Sequence, residues 1–322
     1  MNGMQRDEGR ILRFGVRARG RLIVFLLFLI AFPIPTETAA TPDVPSFSHV
    51  FVIVCENREF DEVIGNAKMP RFNAWAKEYT LLDQYYAVTH PSLPNYIAMI
   101  GGDFFGIQTN CTDCLIRARS LPDLLEDAGR TWKTYQEGLP EPGFTGARAG
   151  RYAQKHNPFV YFEPVRNDRA RLERSVVPLE QLAEDLTQGG LPDFSFITPD
   201  MCNSGHDCGL EVTDAWLGRV VDAILQSPGF DRTSLIVLTF DEGTTTRNCC
   251  GSPPLASGGR IATVLISPLI QRGFRDETPY SHYSLLKTIA AAWGLPELGR
   301  SADPAVNLIA LPFQGAAAAT DD

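Results

Sequence analysis

The sequence predicts an α/β domain, with a mainly parallel central sheet flanked by helices on both faces. Three observations carry this. The continuous apolar runs His49–Cys55 (HVFVIVC) and Leu235–Phe240 (LIVLTF) read as strands buried on both faces. Amphipathic stretches of helical period stand between such runs. Strand and helix patterns also alternate along the chain, as they do where crossover helices link parallel strands.

Each element has its own local reason. After the first strand, Pro70–Tyr79 is helical, with Phe72, Trp75, Ala76 and Tyr79 on one side. Leu81–Val88 reads as a strand, and Pro94–Ile100 as a helix stopped by Gly101-Gly102. Leu121–Ala128 is a short helix ended by Gly129, and Trp132–Gln136 a strand. Residues 138–174, rich in Pro and Arg, read as an irregular insertion over the site. Leu179–Leu186 is a helix, Phe194–Thr198 a strand, Val212–Gln226 an amphipathic helix, Ile261–Ile266 a further buried strand and His282–Trp293 the last helix. No internal repeat is present, and residues 315–322 read as a frayed tail.

The first forty residues read as a separate segment. Six arginines precede the apolar run Leu22–Ile34, and Thr38-Ala39-Ala40 supplies small residues for cleavage. This is the layout of a secretory signal peptide. The run is short for a membrane span and is interrupted by Pro33 and Pro35. The expectation is therefore a signal over 1–40, a single domain over 41–322, secretion or a periplasmic location, and no stable membrane span after cleavage.

The chain of 322 residues has a formal charge of −9. Its share of charged residues, 21 %, is that of a globular domain. Such an acidic chain draws no general attraction from nucleic acid, which is excluded as a partner. An anionic substrate then needs local positive charge, most simply a metal ion. Six of the seven cysteines lie in close pairs, Cys111/Cys114, Cys202/Cys208 and Cys249/Cys250. The first two pairs read as small-loop disulfides, consistent with export, with zinc as a rival at Cys111/Cys114. The adjacent pair is either bridged or joined elsewhere, and Cys55 is a buried thiol.

Polar residues gather where the strands end, the place where open α/β sheets bind ligands. Glu56-Asn57 follows the first strand, Asp241-Glu242 follows LIVLTF, and Asp200 follows FSFIT by two residues. Ser92 stands between a strand and a helix. A single acid after a strand is often only a helix cap, but three such places plus a serine point to more. Carboxylates and an amide oxygen are hard ligands for Ca²⁺, Mg²⁺ or Mn²⁺, and histidine admits Zn²⁺. Of the five histidines, His49 reads as structural, while His90 lies near Ser92 and His206 near Asp200.

The segment HVFVIVCENREFDEVIG (49–65) resembles the opening motif of the secreted phosphoesterase family, which contains bacterial acid phosphatases and phospholipases C. The resemblance continues through THPSLPNYIAMIGG (89–102), KHNPFVYF (155–162), FSFITPDMCNSGHDC (194–208), DAWL (214–217), TFDEG (239–243) and SHYSLLKTI (281–289). The family belongs to the alkaline phosphatase superfamily, so the resemblance implies an alkaline-phosphatase-like sheet and a hydroxyl nucleophile on a metal. By that resemblance Ser92 is the nucleophile, and Glu56, Asn57, Ser92, Asp241 and Glu242 hold one divalent ion. Asp200 keeps a second ion open. His206, His282, His90 and His156 are the candidate proton carriers and phosphoryl contacts.

The expectation is a metal-dependent phosphomonoesterase working through a phosphoserine. Its substrate would be a phosphorylated small molecule or a lipid head group. The compact secreted acid phosphatases bring in phosphoinositides as one such substrate. A phospholipase C-like phosphodiesterase is the alternative on the same core, but its large members carry extra C-terminal domains, whereas this chain ends soon after the last helix. A sulfatase lacks support because no Arg follows Ser92-Leu93-Pro94 at the required spacing. The reading of another class is a secreted binding protein without activity. Arg148, Arg151, Lys155 and Arg166 in the insertion are placed to meet an anionic head group or simply to form a solvated basic loop.

Overall fold

The first strand forms over Val50–Cys55 (β1), and all six of its residues are buried, as its unbroken apolar run requires. The computed structural model describes residues 44–253 and 255–314, together with Gly15. The expected signal segment, Gly15 aside, and the tail 315–322 lie outside the described residues.

The other strands of the main sheet are Thr80–Leu82 (β2), Trp132–Gln136 (β3), Val176–Pro178 (β4), Phe194–Thr198 (β5), Leu235–Phe240 (β6), Thr263–Ile266 (β7) and Arg275–Asp276 (β8). They lie in the order β8-β2-β7-β6-β1-β5-β3-β4. The run from β6 to β4 is parallel throughout, and β7 alone pairs antiparallel with both of its neighbours. Every residue of β1, β5 and β6 is buried, so both faces of the sheet are covered. The covering helices include Pro70–Glu78 (α1), Ser92–Gly101 (α2), Leu121–Asp127 (α3), Gln181–Gln188 (α4), Leu210–Leu225 (α5) and His282–Trp293 (α6). Helix α1 packs on α5, and α2 on α6. Asp214 of α5 accepts from the backbone N–H of Arg71 at 3.1 Å and Phe72 at 2.9 Å. A carboxylate distant in sequence thus caps α1, which begins on a proline and has no local cap.

Three expectations need correction. The strand expected over 81–88 is broken at Asp83-Gln84, and Tyr85–Tyr86 leaves the main sheet to pair with Tyr280–Ser281. Asp83 is held by Arg260 and Arg275, and these ion pairs fix the break. The segment 138–174 is ordered and anchored. It carries a small ladder at Arg148–Ala149 and Tyr152–Ala153, two helical turns, and the fully buried Phe159, Val160, Tyr161 and Phe162. Strand β4 was not expected at all, because three residues beside an Arg-rich stretch show no period. The three close cysteine pairs are disulfides, the adjacent Cys249–Cys250 among them, and Cys55 is free and buried. The bridge at Cys111–Cys114 displaces the zinc alternative there. Among the described residues no helix is long and apolar enough to cross a membrane.

Candidate active site

The parallel register decides what meets what. Ile53 of β1 lies beside Leu238 of β6 and Ile197 of β5, so the carboxyl ends of these strands fall together. Glu56 and Asp241 emerge side by side, with the Asp241 N–H donating to the Cys55 carbonyl at 2.9 Å. Asn57 then takes a positive φ of 50°, a conformation asparagine tolerates better than most residues. This turn lets its N–H donate to Asp241 Oδ1 at 3.0 Å.

Ser92 is the first residue of α2 and is almost wholly buried. Its Oγ lies 3.1 Å from Glu56 Oε2 and 3.2 Å from Glu242 Oε1. The loop before it is clamped by Asn95, whose Oδ1 accepts from the N–H of Val88 and of Thr89, and whose amide donates to Thr89 O and Pro91 O. The Leu93 N–H is taken by Asn110 Oδ1 at 3.0 Å. Asn95 is therefore a clamp for the serine loop.

The 154–161 segment brings in a lysine and a histidine. Lys155 Nζ stands 3.4 Å from Ser92 Oγ and 3.8 Å from Glu56 Oε2. His156 Nε2 lies 3.1 Å from Glu56 Oε2 but off the hydrogen-bond direction, and its ring stacks on Tyr96. Tyr96 donates to the other Glu56 oxygen. Burial works against a charged Glu56, yet His156, Lys155 and Tyr96 hold its pKa below the usual carboxylate range. Asp241 goes the other way: burial, then the charges of Glu56 and Glu242, raise its pKa well above the ordinary value.

The four candidate histidines occupy different places. His282 is fully buried, with Nε2 on the Asp241 carbonyl at 2.7 Å and Nδ1 3.4 Å from the Tyr85 hydroxyl. Burial lowers its pKa to about 4, so it is neutral and supports Asp241 from behind. His90 bonds Glu242 through Nδ1 and the Thr245 carbonyl through Nε2 at 2.9 Å, and the Glu242 contact raises its pKa. Burial lowers the pKa of His156. His206 is partly exposed, bonded through Nδ1 to Asp207 at 2.7 Å, and lines a cleft of about 280 Å³ with Asn110, Arg148, Gln154, Lys155 and Met201. Asp200 spends its carboxylate on the N–H groups of Cys202 and Asn203, each at 2.8 Å, folding the turn that carries His206. None of its hydrogen bonds among the described residues reaches Glu56 or Ser92.

The donor set fits a divalent cation. Asp241 Oδ2 and Asn57 Oδ1 are buried without a hydrogen-bond partner, beside two further carboxylates and a hydroxyl. Such a gathering of buried oxygens is costly unless a positive charge joins it. Among the described residues no trio of His, Cys, Asp and Glu already stands at ligand spacing.

Sequence reasoning missed Glu59. Its buried carboxylate accepts from Thr244 N at 2.9 Å, Thr245 Oγ1 at 2.9 Å and Arg260 N at 3.0 Å. A Cβ on Gly243 or Gly259 would lie 2.2 or 2.8 Å from Glu59 Oε2, so both positions need glycine. Glu59 thus sets the loop whose Thr245 carbonyl holds His90 against Glu242. A second cleft, of about 290 Å³, opens where β3 and β5 begin, at the far end of those strands. Its Arg130 and Lys133 are neutralised by Asp193 and Asp185.

Comparison with known proteins bears on this cluster. The model of the Phosphoesterase family matches residues 67–296. The phosphate-repressible acid phosphatase of Penicillium chrysogenum is 34 % identical over 79 % of this chain and 61 % of its own length. The phosphatidylinositol-3-phosphatase of Mycobacterium tuberculosis is 35 % identical over 83 % of each. The chain spans about three fifths of the length of the yeast and fungal acid phosphatases it matches. A crystal structure of an alkaline phosphatase superfamily protein from Vibrio parahaemolyticus superposes with a TM-score of 0.53 at 12 % identity, over 82 % of this chain and 71 % of that one. At that identity the likeness speaks for the fold.

Proposed function

The chain belongs to the Phosphoesterase family, and from that premise we propose that it is a secreted, metal-dependent phosphomonoesterase working through a phosphoserine at Ser92. The observation that carries the reading is the buried Ser92 hydroxyl, set between Glu56 and Glu242 with a lysine 3.4 Å away and an unpartnered Asp241 oxygen beside it. The named relatives, an acid phosphatase and a phosphatidylinositol-3-phosphatase, support phosphate monoesters as the substrate class.

Glu56, Asn57, Asp241 and Glu242 would hold one divalent ion together with the Ser92 oxygen. Such an ion would supply the positive charge that offsets the carboxylates, and would act as a Lewis acid toward the phosphoryl group and the serine hydroxyl. The chain's own groups do the rest. Ser92 Oγ attacks phosphorus in line with the ester oxygen. Its proton passes to Glu242, whose Oε1 lies 3.2 Å away. The phosphorus–ester bond breaks, and His206 on the cleft wall protonates the departing alcohol. Water then attacks the phosphoserine, His206 takes its proton, and Glu242 returns the proton to Ser92. His282 and His90 position Asp241 and Glu242.

The test uses purified protein with p-nitrophenyl phosphate and bis(p-nitrophenyl) phosphate, before and after chelation, with single divalent ions restored. Monoester hydrolysis that chelation abolishes, with acid-quenched phosphate recovered on Ser92, is the expected result. Ser92→Ala should lose at least 10²–10⁴-fold in kcat, roughly the loss of a reacting group, with an unchanged melting curve. Activity within about tenfold of wild type in that variant would overturn the reading, as would preference for the diester.

A further inference from the structure

We infer that Lys155 is the residue that makes this site prefer the dianion of a phosphate monoester to the monoanion of a diester. The inference rests on the proposed function and deepens it.

The cleft beside Ser92 is walled by Asn110, Arg148, Gln154, Lys155, Met201 and His206 among others, and no acidic side chain lines it. It is a basic opening in a chain whose formal charge is −9. Arg148, on its outer wall, makes no ion pair among the described residues and is exposed. Lys155 lies deeper, its side chain 14 % exposed, with Nζ 3.4 Å from Ser92 Oγ. Its pairing with Glu56 is long, at 3.8 Å, and the Glu56 oxygens are already engaged by Ser92 and Tyr96. The ammonium is therefore free to take a second anionic partner.

Geometry says which partner. Phosphorus in line for attack stands about 3–3.5 Å from the nucleophile oxygen. Its non-bridging oxygens then come within hydrogen-bond reach of Nζ. A monoester dianion has two charges spread over three such oxygens, whereas a diester has one charge over two. A half-desolvated cation attracts the doubly charged group more strongly, because the Coulomb energy scales with charge and little water screens it. Lysine suits this task as a compact point charge with three donors.

The experiment measures kcat/KM for p-nitrophenyl phosphate and bis(p-nitrophenyl) phosphate in wild type, Lys155→Met, Lys155→Gln and Lys155→Arg. The monoester-to-diester ratio should fall about 10- to 100-fold in the Met and Gln variants, the usual yield of one charge-assisted hydrogen bond, and recover in the Arg variant. A ratio that stays within about threefold of wild type overturns the inference, even if both rates drop together. A parallel calorimetric arm uses Ser92→Ala protein, with and without Lys155→Gln, titrated at pH 8 with inorganic phosphate and with dimethyl phosphate. Selective weakening of inorganic phosphate supports the role of Lys155, and equal weakening of both overturns it. If wild type hydrolyses neither ester, the proposed function has failed and the binding arm still decides the lysine. If the Met variant does not fold, the Gln variant carries the test.

Discussion

Glu59 shows how a single residue outside the reacting groups governs them. Its carboxylate gathers three N–H groups and a hydroxyl from the segment 244–260. Glu59→Ala should cost about 1–3 kcal/mol of stability, the penalty for stranding buried donors. It should also lower kcat, because Thr245 no longer steers His90 onto Glu242. Glu59→Gln should not rescue either property, since its amide nitrogen would face N–H donors where only acceptors fit. Urea denaturation and steady-state kinetics check both parts. A Gln variant with wild-type stability and turnover would show that the nest does not set the site. The motif carried a trace of this residue, because Glu59 and Glu62 form the reciprocal cap of the short helix Phe60–Val63. That local role hid the tertiary one.

At the scale of elements, helix α2 presents the serine only because Asn95 ties the preceding loop back onto it. Asn95→Ala leaves the buried N–H groups of Val88 and Thr89 without an acceptor. The expected outcome is a loss of about 1–3 kcal/mol together with a larger fractional loss of kcat than of substrate binding. A fall in melting temperature with unchanged kcat would separate the clamp from the serine's placement. The opposite end of the sheet gives a pH test. Asp231 joins the entrances of β1 and β6 by accepting from Ser48 and Thr233. Its slight burial opposes ionisation, but these bonds and that from Ser234 lower its pKa to about 2. Since the folded value lies below the unfolded one of about 3.9, the stabilisation is complete above about pH 4 and is lost as pH falls towards about 2. Melting curves of Asp231→Asn should therefore show a shallower slope over that window than wild type, and an identical slope would refute the assignment.

For the whole molecule, the gathering of Glu56, Asp241 and Glu242 at one end of the sheet predicts a stability that depends on cation supply. A divalent ion that binds the folded chain at 100 times its Kd adds about 2.7 kcal/mol. For a domain of this size that corresponds to a rise in melting temperature of roughly 4–5 °C. The prediction is that chelated protein melts lower, that one or more of Ca²⁺, Mg²⁺, Mn²⁺ and Zn²⁺ restores the difference, and that Asp241→Asn blunts the response. A melting temperature indifferent to chelation and to all four ions would count against the oxygen cluster as a metal site.

The parallel core is legible in the chain alone, because strands buried on both faces leave unbroken apolar runs and the helices between them keep a 3.6-residue period. The sequence also marked Glu56, Asn57, Ser92, Asp241 and Glu242, since each sits next to the strand or helix that carries it. The direction of β7, the break at Asp83-Gln84 and the existence of β4 emerge only in the folded chain, because pairing direction and three-residue strands depend on neighbours far away in the chain. Folding alone separated the histidines, burying His282 behind Asp241, tying the exposed His90 to Glu242 and leaving His206 on the cleft. It alone brought Lys155 to Ser92 across 63 positions. Local periodicity reports which face of an element is buried. Register and loop packing, which follow from contacts between distant segments, determine which polar groups meet there.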